Sequence, residues 1–381
     1  MRSPNPIVAL AGLLLIGAAC TKNDTDSASG NVKVRSTDDA CEVSAAAAPS
    51  GNVVFEVTND GSEVTEFYLL ADDGLRIIGE VENIGPGISR NLVVQAAPGG
   101  YFTACKPGMV GDGIRSAFTV SDSGQEVATG DVADLIATGT EQYRLYVRDQ
   151  VGQLVAKTQQ FADLYTAGSD DEARALYADA RTHWERIEPV AESFGDLDPK
   201  LDLREADLEA GQAWTGWHAI EKDLWPPASD YTPFTADERT ALADLLVVDT
   251  TDLSARVQEL TYDATQLGNG AKELLDEVAT GKVTGEEEIW SHTDLWDFQA
   301  NVDGARIAFE NLQPALETKD PDLATTLTER FTALQQLLDR HRDGEGFQLY
   351  TELSTAEIKA LADAVNALSE PLAELTAAVV L

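Results

Sequence analysis

Histidine and basic side chains are what this chain has least of. Four histidines occur in 381 residues, His183, His218, His292 and His341, and 27 Lys and Arg stand against 66 Asp and Glu, a formal charge of −39. Nucleic acid is bound largely through its phosphates, so a chain with no cationic patch is a poor partner for it. The excess of carboxylates attracts cations and keeps the protein soluble. Adaptation of a surface to a salty host would leave the same excess. Long hydrophobic runs are also missing. The stretch "IVALAGLLLIGAAC", Ile7 to Cys20, is too short to span a membrane. The scarcity extends to hydrolase signatures: there is no H-E-x-x-H, no G-x-S-x-G between a strand and a helix, and no Gly-rich phosphate loop.

The apolar run behind Arg2 reads as a signal peptide over residues 1–19. "GAAC" is similar to the lipobox of bacterial lipoproteins, which makes Cys20 the expected lipidation site; Gly17 stands where that pattern usually has Leu, and a plain signal peptide is the alternative. Residues 20–31 then read as a polar tether. The chain is expected to be exported, as a cell-envelope lipoprotein or periplasmic protein, and in that setting Cys41 and Cys105 read first as a disulfide.

Two halves follow. Over residues 32–122 the runs "NVVFEVTN", "EFYLLAD", "LRIIGEVENI", "NLVVQAA" and "YFTACK" alternate with the turn sequences "NDGS", "DDG", "GPG" and "PGG". This predicts an antiparallel β-sandwich. Residues 123–130 read as a linker, and over residues 131–381 the apolar spacing changes to three and four. That predicts antiparallel helix bundles. Ser169 and Thr235 are expected N-caps.

In the sandwich, "YFTACKPGM" has the look of a blue-copper ligand loop, but such a centre needs two histidines beside the cysteine, and the first histidine of the chain is His183. A thiolate–carboxylate site remains as an alternative to the disulfide, from Cys41, Cys105, Met109, Glu66, Glu80 and Glu82; Glu80 and Glu82 share a strand face. A disulfide would abolish it.

The helical half holds the sharper constellation. In "WTGWHAIEKDLW", Trp214 to Trp225, His218 and Glu221 are three apart, on one side of a helix, and can share a metal ion. A histidine in an apolar frame is by default a satisfied core residue. The surroundings argue for more. "THWERIEPVAESF" carries Glu185, Glu188 and Glu192, with Pro189 set to kink or end the helix. "DLDPKLDLREADLE" adds Asp196, Asp198 and Asp202, and "TGEEEIWSHTDLWDFQANVDGA" adds Glu286, Glu287, His292, Asp294 and Asp297. Trp184, Trp217, Trp290 and Trp296 lie in the same segments, which predicts a partly buried polar centre instead of a solvated charge run. Carboxylates with one or two imidazoles suit iron, manganese or zinc. A peptidase of the H-x-x-E-H type would need a second histidine that "HAIEK" does not supply.

These segments together resemble the EfeO family of bacterial iron-uptake components. The resemblance rests on Cys41, "VTEFYLL", "GEVENIGPGISRNL" and "GGYFTACKPG" in the first half. In the second it rests on "HWERIEPVAE", "FGDLDPKLDLRE", "TGWHAIEKDLW" and "GEEEIWSHTDLWDFQANVDGA". It implies a cupredoxin-like domain followed by an all-α imelysin domain of two antiparallel four-helix bundles. It also implies iron as cargo, Fe2+ or Fe3+ (zinc or copper as alternatives), captured for a membrane permease and without enzymatic activity. The implied metal ligands are His218, Glu221, Glu185, Glu188, Asp202 and one of Glu286 or Glu287, with His292 and Asp297 as packing or outer groups. Cys41, Glu66, Glu82 and Cys105 match an auxiliary site. A membrane permease and a haem peroxidase of the dye-decolourising type are the implied partners, with the membrane reached through the lipid anchor. An imelysin-type metallopeptidase, or a ferroxidase centred on the sandwich, are the competing readings.

Overall fold

A computed structural model describes residue 1 and residues 31–75, 77–109, 111–124 and 131–380. The expected signal peptide, Cys20 and the tether as far as residue 30 lie outside the described residues.

The first half is a two-sheet sandwich of β1 Val32–Ser36, β2 Cys41–Val43, β3 Ala47–Pro49, β4 Gly51–Asn59, β5 Thr65–Ala71, β6 Ile77–Ile84, β7 Ser89–Ala96, β8 Gly99–Pro107 and β9 Ile114–Ser121. One sheet runs β2-β1-β4-β7 and the other β3-β9-β8-β5-β6. Alternation does the local work. In β1, Val32, Val34 and Ser36 point inward while Lys33 and Arg35 face water. Phe55, Phe67 and Phe118 meet at the centre, with ring centroids 5.2 and 5.3 Å apart. The expected all-antiparallel pattern needs correcting. β1 pairs parallel with β4, and β3 pairs parallel with β9, because the chain crosses between sheets before β3.

β5 is buried along its whole length. Phe67 and Leu69 fill the sandwich core, while Tyr68 and Leu70 pack with Ile77 and Ala104 on the opposite face, where Leu145 of the first helix joins them. A strand covered on both faces reads as a continuous apolar run, which is why "EFYLLA" does not alternate.

The second half contains α1 Val132–Ala167, α2 Asp170–Glu185, α3 Asp198–Asp202, α4 Trp217–Leu224, α5 Ala236–Val257, α6 Ala264–Thr280, α7 Asp294–Lys319, α8 Pro321–Leu338, α9 Thr355–Leu372 and α10 Leu375–Val380. α1 packs against α2, α5 and α7, and α2 also meets α7; α6 and α8 pack on the same α7, with α9 laid against both of them. A two-residue hairpin, Arg342–Asp343 with Gly346–Phe347, is the one strand pair in this half among the described residues. Thr235 caps α5 with a reciprocal bond to Glu238, whereas Ser169 makes no side-chain cap bond. The long periodic run from residue 236 to 267 is two helices, because Asp263 and Gln266 form a new capping box.

Pro189 ends α2 as its sequence predicts. The chain continues as a 3-10 segment, Glu188–Leu197, bent at Val190 and Gly195. α6 lies directly against this bend. A Cβ on Gly270 would sit 1.7 Å from the Pro189 carbonyl oxygen. Ala is normally the better helix former by about 1 kcal/mol, yet here the clash decides the sign. Gly270→Ala should destabilise the protein by about 1–3 kcal/mol, read as a lowered midpoint in denaturant unfolding.

Candidate metal centre

The bend at Pro189 brings three segments to the end of α2. Glu185 is the last residue of that helix and Glu188 the first of the 3-10 segment; Asp202 closes α3; His218 and Glu221 stand on the first turns of α4; Glu287 and Glu288 lie on the loop leading to α7. Ligand-capable atoms come within 4.8 Å of one another in three groups: Asp202, His218 and Glu287; His218, Glu221 and Glu288; Glu185, Glu188 and Asp202.

His218 joins the first two groups. Its Nε2 lies 3.3 Å from Asp202 Oδ1 and 3.7 Å from Glu287 Oε1. Its Nδ1 lies 3.2 Å from Glu221 Oε2. The other Glu221 oxygen accepts the backbone N–H groups of Trp290 at 2.9 Å and Ser291 at 2.7 Å. Glu221 is therefore held from both ends and orients the imidazole. Trp184 donates from Nε1 to Asp202 at 2.8 Å, and Tyr177 and Ser291 donate to Glu288 at 3.2 and 2.8 Å.

Two buried cations share the centre. Arg181 has no exposed surface; it contacts Glu185 and Asp202, and lies 2.6 Å from Glu288, 3.6 Å from Asp297 and 3.7 Å from Glu287. Lys282 bonds Glu185 and Glu188, each at 2.8 Å. Asn301 donates to Glu185 at 2.9 Å and to Glu188 at 2.6 Å. The carboxylates outnumber these charges, and their protonation divides accordingly. Burial, and then Glu185, pushes Glu188 well above the usual carboxylate range; burial, and then Glu221, does the same to Glu288. Burial raises Asp297 as well, and lifts Asp294 to about 6. Burial also opposes ionisation of Asp202, but Arg181 and His218 hold it well below its ordinary value. Against the same cost, Lys282 and His218 bring Glu287 to about 2. Burial and Arg181 disfavour a charged His218, yet the surrounding carboxylates of Asp202, Glu221 and Glu287 push it well above the ordinary histidine value.

The sequence candidates therefore separate. Glu185, Glu188, Asp202, His218, Glu221 and Glu287 come together. Glu286 is half exposed and pairs with Arg204 at 3.3 Å. Glu192 and Asp196 are exposed, Asp196 being paired with Lys200 and Arg256. His183 is buried but bonded to Gln150 at 2.8 Å, away from the cluster. His292 is half-buried and outside the groups, while Asp297 faces Arg181. Trp184 and the Trp290 backbone touch the centre through Asp202 and Glu221, whereas Trp217 packs on Phe161 and Tyr177 and Trp296 on Phe347. Glu288, Arg181, Lys282 and Asn301 were not anticipated. Glu288 was legible as the third acid of "EEE", and Arg181 as the residue one turn before Glu185. Nothing in the sequence points to Lys282 or Asn301.

The auxiliary sandwich site is corrected. Cys41 and Cys105 form a disulfide, with Cα atoms 5.5 Å apart, and the sulfur donors of the alternative are gone. Glu66 is buried 3.8 Å from the Lys106 ammonium, which also pairs with Asp149 of α1. The Glu82 side chain lies outside the described residues.

A helical domain with a buried carboxylate–imidazole centre, preceded by a cupredoxin-like sandwich, is the class these features define. The chain matches the imelysin family over residues 139–375 and the cupredoxin-like domain family over residues 7–120. The iron uptake system component EfeO of Yersinia pseudotuberculosis is 38% identical over 347 residues, covering 90% of both chains. The proteins of the same name from Yersinia pestis and Escherichia coli O157:H7 are 36% and 35% identical over the same 90% of each chain. The chain belongs to the EfeO family of iron-uptake components.

Removing Arg181 leaves several buried carboxylates without their counter-charge. Arg181→Met should cost about 3–5 kcal/mol of stability, measured by chemical unfolding of the metal-free protein.

Proposed function

We propose that the helical domain captures iron for uptake, at a centre built on His218 Nε2, Asp202 and Glu287 with Glu185 and Glu188 beside them. The observation that carries this reading is the two-sided setting of His218. Glu221 holds Nδ1, so the Nε2 lone pair of the neutral ring is directed at Asp202 and Glu287. One nitrogen among several hard oxygens suits iron or manganese better than copper, with zinc the nearest competitor. The relatives are named for iron uptake, which favours iron. In this reading Glu221 orients a ligand and is not itself one.

The protein delivers its cargo to a membrane permease and works with a haem peroxidase of the dye-decolourising type. It is exported and held at the membrane by a lipid on Cys20. It is a carrier and not a peptidase: Glu221, the acid of the H-x-x-E pair, already accepts two backbone N–H groups and the imidazole, and is held below its ordinary value, so it makes a poor general base. The disulfide likewise weighs against a thiolate redox centre in the sandwich.

Two outcomes test this. His218→Ala should lose high-affinity iron(II) in anaerobic titration of the full chain while its helical circular dichroism persists; stoichiometric tight binding by that variant refutes the assignment. The second concerns protons. The carboxylates of Asp202, Glu221 and Glu287 raise His218 well above its ordinary value, which favours a proton that coordination has to displace. Iron binding should release protons, and affinity should fall as pH falls, by about tenfold per pH unit for each proton displaced. Calorimetry in two buffers of different ionisation enthalpy reads that release directly.

A further inference from the structure

The carboxylates assigned to the cargo already hold a cation. Lys282 is 2% exposed, and its Nζ lies 2.8 Å from Glu185 Oε2, 2.8 and 3.0 Å from the two oxygens of Glu188, and 3.6 Å from Glu287 Oε1. An ammonium is a compact point charge with three donors and no acceptor, so a ring of carboxylates receives it much as it would receive a metal ion.

The two buried cations of the centre differ in what holds them. Arg181 is fixed by a planar fork whose nitrogens face Glu185, Asp202 and Glu288 at once. Lys282 has one charged atom at the end of a four-carbon stem. Its backbone is secured independently of that atom, since the turn Lys282–Thr284 is pinned by Tyr350 donating to the Val283 carbonyl. The ammonium can therefore leave the carboxylates while the turn stays in place. A cavity of about 490 Å³ opens next to the acids that hold it, lined by Glu188, Asp202 and Glu287 and also by Asp198 and Glu277. That cavity gives a hydrated cation access to the three acids, and gives the displaced ammonium other carboxylates to face.

We infer that Lys282 is a tethered counter-ion which the cargo metal displaces, and that it sets the charge selectivity of the centre. The inference rests on the iron-capture reading above. A tethered cation is present at a local concentration that free monovalent ions do not match. Sodium and potassium gain nothing by replacing it. A divalent or trivalent metal brings more charge to the same oxygens and does.

The test is calorimetric titration of the full chain with iron(II) and with manganese(II) under anaerobic conditions, in sodium chloride and in choline chloride at equal ionic strength. Wild type should bind equally well in both salts. Lys282→Met and Lys282→Gln should bind roughly tenfold or more tighter in choline chloride, and should lose much of that gain in sodium chloride, because sodium now competes. Unchanged or weaker binding, or a variant indifferent to sodium, overturns the inference. A crystal structure of the iron-loaded wild type tests it without any variant. Lys282 Nζ should stand beyond hydrogen-bond distance from Glu185 and Glu188, and an ammonium still bonded to both overturns it. Failure of the underlying reading looks different: wild type then binds no metal, or His218→Ala binds as tightly as wild type, whatever stands at position 282.

Discussion

A guanidinium with no exposed surface draws four segments of the chain to one point. Arg181 meets Glu185 on its own helix, Asp202 at the end of α3, Glu287 and Glu288 on the loop before α7, and Asp297 on α7 itself. Burying this many carboxylates would be prohibitive without a permanent charge among them, and arginine is the side chain that stays ionised under burial. The centre is thus a compromise between two demands. Enough positive charge must be enclosed for the protein to fold, and enough negative charge must remain for a metal to be drawn in. Asp202 and Glu287 are kept ionised on one side, while Glu188 and Glu288 are driven toward the protonated form on the other.

The same demands explain the roles of neighbouring groups. Glu221 is tied down by two backbone N–H groups and is therefore spent on holding the imidazole. Asn301 satisfies Glu185 and Glu188 without adding charge. The bend at Pro189 places those two acids at a corner, where a continued helix would have carried Glu188 onward with α2. The tight approach of α6 at Gly270 is the packing counterpart of that corner.

Much of this was legible in the sequence. Helical spacing placed His218 and Glu221 on one face, and Pro189 marked the corner. Five sandwich strands announced themselves by β-branched runs between turn residues. The rest was hidden for physical reasons. β1, β2 and β3 are three to five residues long, too short for a period to show. The choice between Glu286 and Glu287 depends on which way a loop turns, and only tertiary packing fixes that. Lys282 is separated from Glu185 by almost a hundred residues of chain, and a search for acids and imidazoles passes over a lysine.

The sandwich and the helices meet along a seam that is chemically a core. Tyr68, Leu70 and Ile77 are buried with Leu145 packed on them, Lys106 pairs with Asp149, and Arg306 reaches Asp73 at 3.2 Å. Domain shuffling is therefore constrained here. A lineage that shed the sandwich, or an engineer who deleted it, would expose the outer face of α1 around Leu145 and take from Asp149 its ammonium partner Lys106. Either would have to recolour that surface with polar residues before the helical half could stand as a module of its own.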